Sequence, residues 1–166
     1  GQFAAQAARA FGAHVTITDL IGKRLEIAKQ VGINRALNAS DADLYDALQE
    51  GGPYDRIIDA SGYPPLFTEI NKHNLLAYRG VIGAIAVRGE TVFPWSMMHG
   101  REASIEVSRH FSVDDLQAVL HFFQRGVIQI APLVLHRAPI SEAPRLYEML
   151  RDRREEMLGI IFRWDE

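Results

Sequence analysis

Residues 15–33, VTITDLIGKRLEIAKQVGI, restrict the possible folds of this chain more than any other stretch. The alternating, β-branched run from Val15 to Asp19 predicts a strand, and the amphipathic segment after it predicts a helix that stops at Gly32. The strand therefore ends in a carboxylate just before a helix. In parallel α/β folds, a carboxylate at the tip of the second strand can accept both hydroxyls of an adenosine ribose.

The start of the chain carries a second feature of this kind. Gly1 stands 18 residues before Asp19 and opens an alanine-rich helix over residues 2–11. Free amides at a helix N-terminus carry partial positive charge, so those of Gly1 and Gln2 are expected to face a pyrophosphate. The alternative is that Gly1 is an arbitrary chain end. We expect the first strand of the domain to lie upstream of this sequence.

Helix and strand patterns alternate through about residue 110. After the first strand, further strands are predicted at 35–38, 54–60, 79–87 and 104–108. Helices are predicted at 2–11, 23–31, 40–50 and 64–77, with Ser40 as an N-cap, and residues 94–98 are predicted as loop. Short strands joined by helices predict an α/β fold, a Rossmann-type doubly wound parallel sheet.

The tail departs from this alternation. It carries a helix from Ser112 to Gln124, a strand at 133–135, a helix from Pro139 to about Arg151 and a last strand at 158–164. This pattern predicts a small C-terminal α/β appendage.

Composition narrows the classes of function. The chain has no cysteine, which excludes disulfides and thiolate zinc ligands within it and fits a cytoplasmic protein. The net charge of -3 and scattered basic residues predict no nucleic-acid partner. No apolar run is long enough for a bilayer, so no membrane partner is expected. The histidines show no metal spacing, and we assign no catalytic residue and no metal ligand.

Several segments, in this order, resemble the medium-chain dehydrogenase/reductase family, the zinc-type alcohol and polyol dehydrogenases. Gly1 is similar to the third glycine of its phosphate turn, and Asp19 with R-L-x2-A-x3-G to its second strand and helix. YDRIIDASG and RGVIGAIAV resemble its fourth and fifth strands, and the tail from Leu135 to Phe162 resembles its closing pattern. The resemblance covers essentially the whole chain.

The resemblance implies that residues 1–125 form an NAD-binding Rossmann domain and that residues 126–166 return to the catalytic domain. The expected function is the NAD-binding portion of an oxidoreductase that transfers hydride between an alcohol or polyol and NAD. The resemblance allows zinc in the parent protein, with its ligands outside this chain, and leaves open whether the parent uses it. Because most of the catalytic domain is expected upstream, the chain alone is expected to be inactive.

Cofactor-binding residues are expected at four places. Asp19 is expected to bind the ribose, and the alternative is that it only forms a turn. Arg24 is expected near the same ribose, and the alternative is that it is a solvated arginine on a helix. Two trios are predicted at the carboxyl ends of strands, where open α/β sheets bind ligands, with strand-end packing as the alternative for both. The family resemblance implies the nicotinamide contact of the second trio. These trios are Ala60, Ser61 and Gly62 on the adenosine side, and Ile85, Ala86 and Val87 beside the nicotinamide.

Other functions stay open. A zinc-free NAD(P)-dependent reductase or quinone oxidoreductase of the same superfamily is one, although Asp19 disfavours NADP. A non-catalytic nucleotide-sensing Rossmann module is another.

A homo-oligomer, dimer or tetramer, is expected from the family, with residues 91–95 and 102–108 near its interface. The first strand of a Rossmann sheet lies at its centre, and this chain lacks it. Three alternatives could fill that place: upstream residues, another chain, or direct pairing of the second and fourth strands.

Overall fold

The computed structural model describes residues 1–164 and consists of helices joined to parallel strands. It divides into two compact units, one made of residues 1–4 and 39–116, the other of residues 5–38 and the chain from 117 onward. The helices are α1 Gln2–Ala10, α2 Gly22–Gln30, α3 Leu44–Glu50, α4 Leu66–Lys72, α5 Trp95–Arg101, α6 Val113–Gln124 and α7 Ala143–Asp152. The strands are β1 Thr16–Asp19, β2 Arg35–Asn38, β3 Tyr54–Asp59, β4 Leu76–Ala84, β5 Ser104–Val107, β6 Val134–Pro139 and β7 Gly159–Arg163.

The first unit contains the parallel sheet β3–β4–β5, in that order. Its register places Asp59 beside Ala84, so β3 and β4 end together at one edge of the sheet. The apolar run in β4 buries Leu76 and Ile82 completely, because helices cover a parallel sheet of this kind. Those two residues share a core with Phe67 and Ile70 of α4 and Met97 of α5.

The second unit contains two parallel pairs, β1–β2 and β6–β7. Helix α2 buries Leu25, Ile27 and Ala28 and ends at Gln30. Gly32, the predicted stop, follows two residues later with a φ of +83°, which favours glycine. Around β6 and β7, a smaller core holds Leu146 and Met149 of α7.

Strand neighbours agree with a Rossmann-type order. In the Rossmann order 3-2-1-4-5-6, β1 and β2 of this chain correspond to positions 2 and 3, and β3, β4 and β5 correspond to positions 4, 5 and 6. The order therefore requires β1 to pair with β2, and β3, β4 and β5 to pair in succession. Both sets of neighbours are present, and the predicted α/β class is confirmed. One alternative for the missing first strand was that positions 2 and 4 of this order, here β1 and β3, pair directly. That alternative is wrong for residues 1–164, where β1 pairs with β2 and β3 pairs with β4.

Some predicted boundaries are also wrong. Helix α3 begins at Leu44 rather than beside Ser40, because residues 41–44 first form a turn in which the amide of Leu44 donates to the carbonyl of Asp41. Helix α4 ends at Lys72 rather than near residue 77, because the chain reverses at Asn74 (φ 54°) and begins β4 two residues later.

Three further predictions also differ from the structure. The predicted loop at 94–98 is largely helix α5, which begins after Pro94 and buries Met97. Strand β4 ends at Ala84, so residues 85–87 follow the strand instead of ending it. In the tail, residues 131–133 form a 3-10 turn and β6 begins only at Val134. Among the described residues, no helix has the length and apolarity needed to cross a membrane.

Candidate functional site

Asp19 ends β1 with its side chain about one quarter exposed. Its Oδ1 accepts a hydrogen bond of 3.0 Å from the amide of Ile21, which fixes the turn into α2. Asp19 therefore does act as a turn aspartate. This role engages one carboxylate oxygen on the residue's own loop and is compatible with a ligand on the exposed part of the group.

Arg24 lies in the first turn of α2, and its side chain extends toward Asp19. Its Nη1 stands 3.7 Å from Asp19 Oδ1, and its Nη2 donates to the carbonyls of Arg154 and Met157, at 3.0 Å each. Only 21% of its side chain is exposed. Arg24 is therefore not a solvated helix arginine. It ties the β1–α2 turn to the turn before β7, within the second unit.

Asp59 ends β3, and its side chain is completely buried. Its Oδ1 accepts three hydrogen bonds from the turn that follows: from the amide of Ser61 at 2.9 Å, the hydroxyl of Ser61 at 2.8 Å and the amide of Gly62 at 3.0 Å. Its Oδ2 forms an ion pair with Nη2 of Arg88. This one carboxylate thus determines the conformation of the predicted Ala60–Ser61–Gly62 segment.

The second predicted trio meets the first at this point. The amides of Ile85 and Ala86 both donate to the carbonyl of Asp59 at 3.1 Å. A Cβ on Gly62 would lie 3.5 Å from Cβ of Ala86 and 3.7 Å from the carbonyl oxygen of Val87, and Gly62 has φ +70°. The segments 60–62 and 85–87 are therefore brought together at the carboxyl edge of one sheet.

The remaining predicted residues start the chain. Gly1 precedes α1, and Gln2 is the first residue of that helix and is 6% exposed. Gly1, Gln2 and both trios belong to the first unit, whereas Asp19 and Arg24 belong to the second. Their predicted ligand roles stay predictions.

Sequence reasoning missed Asp59 and Arg88. The signal for Asp59 was available, since an aspartate at the end of an apolar strand followed by Ala-Ser-Gly is typical of a side-chain-capped turn. Arg88 had no comparable local signal, because its partner is 29 residues away. Within residues 1–164, no group of three or more His, Asp or Glu side chains is placed to hold a metal ion.

Comparison with known proteins identifies the family. The profile of the zinc-binding dehydrogenase family matches residues 1–125. This chain belongs to the zinc-binding dehydrogenase family. This match confirms the resemblance to the medium-chain dehydrogenases that the sequence indicated.

Individual relatives of this zinc-binding dehydrogenase chain are more distant. L-threonine 3-dehydrogenase from Yersinia pseudotuberculosis (strain IP 31758) is 26% identical over 171 residues, covering 99% of this chain and 49% of the relative. The L-threonine 3-dehydrogenase of Shewanella halifaxensis is 29% identical over 174 residues, with the same coverage of 99% and 49%. The chain thus spans about half the length of these curated relatives.

Solved structures show the same fold. A short chain alcohol dehydrogenase from E. coli CFT073, complexed with NADH, superimposes with a TM-score of 0.83 at 21% identity, covering 96% of this chain and 48% of that one. The 2R,3R-butanediol dehydrogenase of Bacillus subtilis gives a TM-score of 0.83 at 16% identity, covering 97% and 47%. At such identities, the likeness concerns the architecture of the chain.

Proposed function

We propose that this chain is the NAD-binding portion of an oxidoreductase that transfers hydride between an alcohol or polyol and NAD. Residues 1–125 form the cofactor domain, and residues 126–166 return to the catalytic domain. The single observation that carries the proposal is a partly exposed carboxylate, Asp19, at the end of a parallel strand and directly before a helix. The family match over residues 1–125 supports the same division.

The charge of Asp19 supports NAD over NADP. A carboxylate accepts hydrogen bonds from the 2′- and 3′-hydroxyls of a ribose, whereas it repels a 2′-phosphate. Arg24, held 3.7 Å from that carboxylate, limits its motion and leaves a cation beside the sugar. Gly1 and Gln2 supply the amides at the start of α1 for the pyrophosphate.

Within the first unit, the edge formed by residues 60–62 and 85–87 supports nucleotide binding. Ligands of open α/β sheets bind at the carboxyl ends of the strands, where β3 and β4 end. Any side chain at Gly62 would be strained by its φ of +70°, and its Cβ would contact Cβ of Ala86 and the carbonyl oxygen of Val87. Glycine therefore leaves the space beside these two residues free.

The hydride chemistry belongs to the bound nicotinamide, and the residues of this chain bind and orient it. Residues 1–164 contain no cluster suited to a metal ion. Zinc, if the full-length protein uses it, is therefore held by ligands outside these residues. The 166-residue chain alone is accordingly expected to bind NADH without oxidising an alcohol.

The decisive experiment is titration of the natural full-length protein with NADH and NADPH, followed by cofactor fluorescence. Asp19→Ala is expected to weaken NADH binding by about 10- to 100-fold, because hydrogen bonds to a charged group contribute about 1.5–3 kcal/mol. NADPH binding should weaken less or improve, since the repulsion is removed. Asp55→Ala, at the opposite end of β3 from the proposed site, is the matched control and should change neither.

The proposal fails if wild type and Asp19→Ala bind NADH equally. Alcohol-dependent NAD reduction by the full-length protein would distinguish a dehydrogenase from a non-catalytic nucleotide sensor. Loss of that reduction on chelation would distinguish the zinc enzyme from a zinc-free reductase.

The proposal also includes a homo-oligomer in the cytoplasm. In the described part of the chain, β5 is an edge strand with β4 as its neighbour, and a largely apolar groove of about 590 Å³ lies beside it, lined in part by Phe93, Trp95 and Ile105. Val107 at the end of β5 is 78% exposed. A second copy covering this surface would bury these groups, so Val107→Asp should convert the assembly to monomers in sedimentation. A monomeric wild type would contradict the oligomer.

A further inference from the structure

Arg88 is an unusual arginine for a loop. Its side chain is only 15% exposed, and its guanidinium carbon lies 5.6 Å from the centre of the buried Phe67 ring. Nη2 pairs with Asp59, whereas Nε and Nη1 are buried with no hydrogen-bond partner among the described residues. The cation is thus held by one carboxylate and one aromatic face.

Such an arrangement contributes little to stability. Two buried guanidinium nitrogens without acceptors are costly, and a buried ion pair often stabilises a protein less than apolar residues of similar volume. What a buried pair does supply is a defined geometry, because moving either partner leaves a charge uncompensated. We therefore expect Arg88 to act on the position of the segment that contains it, residues 85–88.

That segment is fixed at both ends by the same residue. At its start, the amides of Ile85 and Ala86 donate to the carbonyl of Asp59, and at its end Arg88 pairs with the Asp59 carboxylate. Between these attachments, Val87 has a side chain that is almost fully exposed, at 99%. Its carbonyl stays close to the position that a Cβ of Gly62 would take, 3.7 Å away.

We propose that Arg88 is a positioning residue for the cofactor. By closing residues 85–88 into a loop on Asp59, it fixes the backbone of Ala86 and Val87 at the ligand-binding edge of the sheet. The ligand class follows from the proposed function, on which this inference rests: a dinucleotide whose ring meets that backbone. Asp59 acts in both segments at once, since it also organises the turn at Ser61 and Gly62.

The test uses the natural full-length protein and three variants. Arg88→Met removes the charge, Arg56→Met is the control from an exposed arginine of β3, and Asp59→Asn with Arg88→Met removes both buried charges while leaving an acceptor for Ser61 and Gly62. The readouts are the Kd for NADH, the urea midpoint, and amide hydrogen exchange of Ile85 and Ala86 without cofactor, with Ile82 of β4 as the internal reference.

Arg88→Met should weaken NADH binding about tenfold, a typical loss when the support of a ligand-binding group is removed. It should also speed exchange at Ile85 and Ala86 but not at Ile82. The double variant should recover the urea midpoint, because no unpaired charge remains, yet should keep the weak NADH binding. It therefore answers the question even if Arg88→Met alone does not fold.

Wild-type NADH affinity and wild-type amide exchange in the double variant would overturn the positioning role. If wild type itself does not bind NADH, the proposed function fails. The exchange rates at Ile85 and Ala86 would then still decide whether Arg88 holds this loop.

Discussion

Asp19 and Asp59 end two parallel strands in similar ways, yet their surroundings differ. Each accepts, through Oδ1, a hydrogen bond from the amide two residues later, Ile21 in one case and Ser61 in the other. Asp19 stays one quarter exposed with a cation at 3.7 Å, whereas Asp59 is fully buried with three hydrogen bonds on Oδ1 and an ion pair on Oδ2.

The difference teaches that the same local motif serves two purposes, depending on burial. A carboxylate with exposed surface can take a ligand, whereas a buried one whose oxygens are both engaged can only organise its neighbours. The following residues decide which occurs. After Asp59, small residues and the positive φ of Gly62 let the turn close over the carboxylate. After Asp19, the chain passes into α2, and Leu20 stays 69% exposed.

The largest effect that this comparison predicts is on stability. Asp59→Ala should lower the free energy of unfolding by about 3–5 kcal/mol, because Arg88 is left buried without its counter-ion. Asp19→Ala should cost at most about 1 kcal/mol, since its surroundings can rehydrate. Urea unfolding followed by circular dichroism measures both. Equal losses for the two variants would break the comparison.

Arg24 gives the next largest effect. Arg24→Met should lower the free energy of unfolding by about 1–2 kcal/mol, because the carbonyls of Arg154 and Met157 lose a charged donor in a partly exposed setting. Lys23→Met, the exposed neighbour on the same helix, should change it little. If the two variants unfold at the same urea concentration, then Arg24 does not hold the turn before β7.

Local patterns explain what the sequence could predict. Strand β2 has the predicted bounds of 35–38, and β3 and β5 each end one residue early. The start of β3 was visible because Gly51-Gly52-Pro53 breaks the chain just before its apolar middle. Ser112 was predicted to begin a helix, and its hydroxyl does accept from the amide of Asp115. The tip of β1 was likewise visible as Asp19 before a helix.

Long-range pairings explain what the sequence could not predict. Nothing local links Arg88 to Asp59, and nothing in α2 indicates that Arg24 reaches residues 154–157. The end of α4 was missed because Leu75 and Leu76 continue an apolar helical pattern but are buried at the start of β4. In these cases, tertiary packing decided between two patterns that are equally acceptable locally.

A smaller effect is expected from Ser61→Ala. The change removes one of the three hydrogen bonds on Asp59 Oδ1 and the acceptor for the amide of Tyr63, but leaves two backbone donors in place. The expected loss in free energy of unfolding is about 1 kcal/mol, well below that of Asp59→Ala. Ser104→Ala on β5 is the control. A loss as large as that of Asp59→Ala would mean that the hydroxyl, rather than the ion pair, holds this carboxylate.

Asp115 extends the comparison to a fully exposed carboxylate and predicts the smallest effect. Hydrogen bonds from the amide and hydroxyl of Ser112, at 2.8 Å each, hold the pKa of Asp115 below its ordinary value, with the backbone amide as the main cause. Since the folded-state pKa is lowered, the stabilisation is complete above the ordinary aspartate value and is lost as pH falls through the lowered one.

Titration of the Asp115 carboxyl carbon by NMR should therefore give a pKa below the ordinary aspartate value, and Ser112→Ala should raise that pKa toward it. Asp115→Asn should weaken the start of α6 at neutral pH and remove this part of its pH dependence, whereas Asp114→Asn on the same turn should leave the Asp115 titration in place. An unshifted Asp115 in wild type would show that a hydrogen-bonded cap without burial does not perturb a carboxylate.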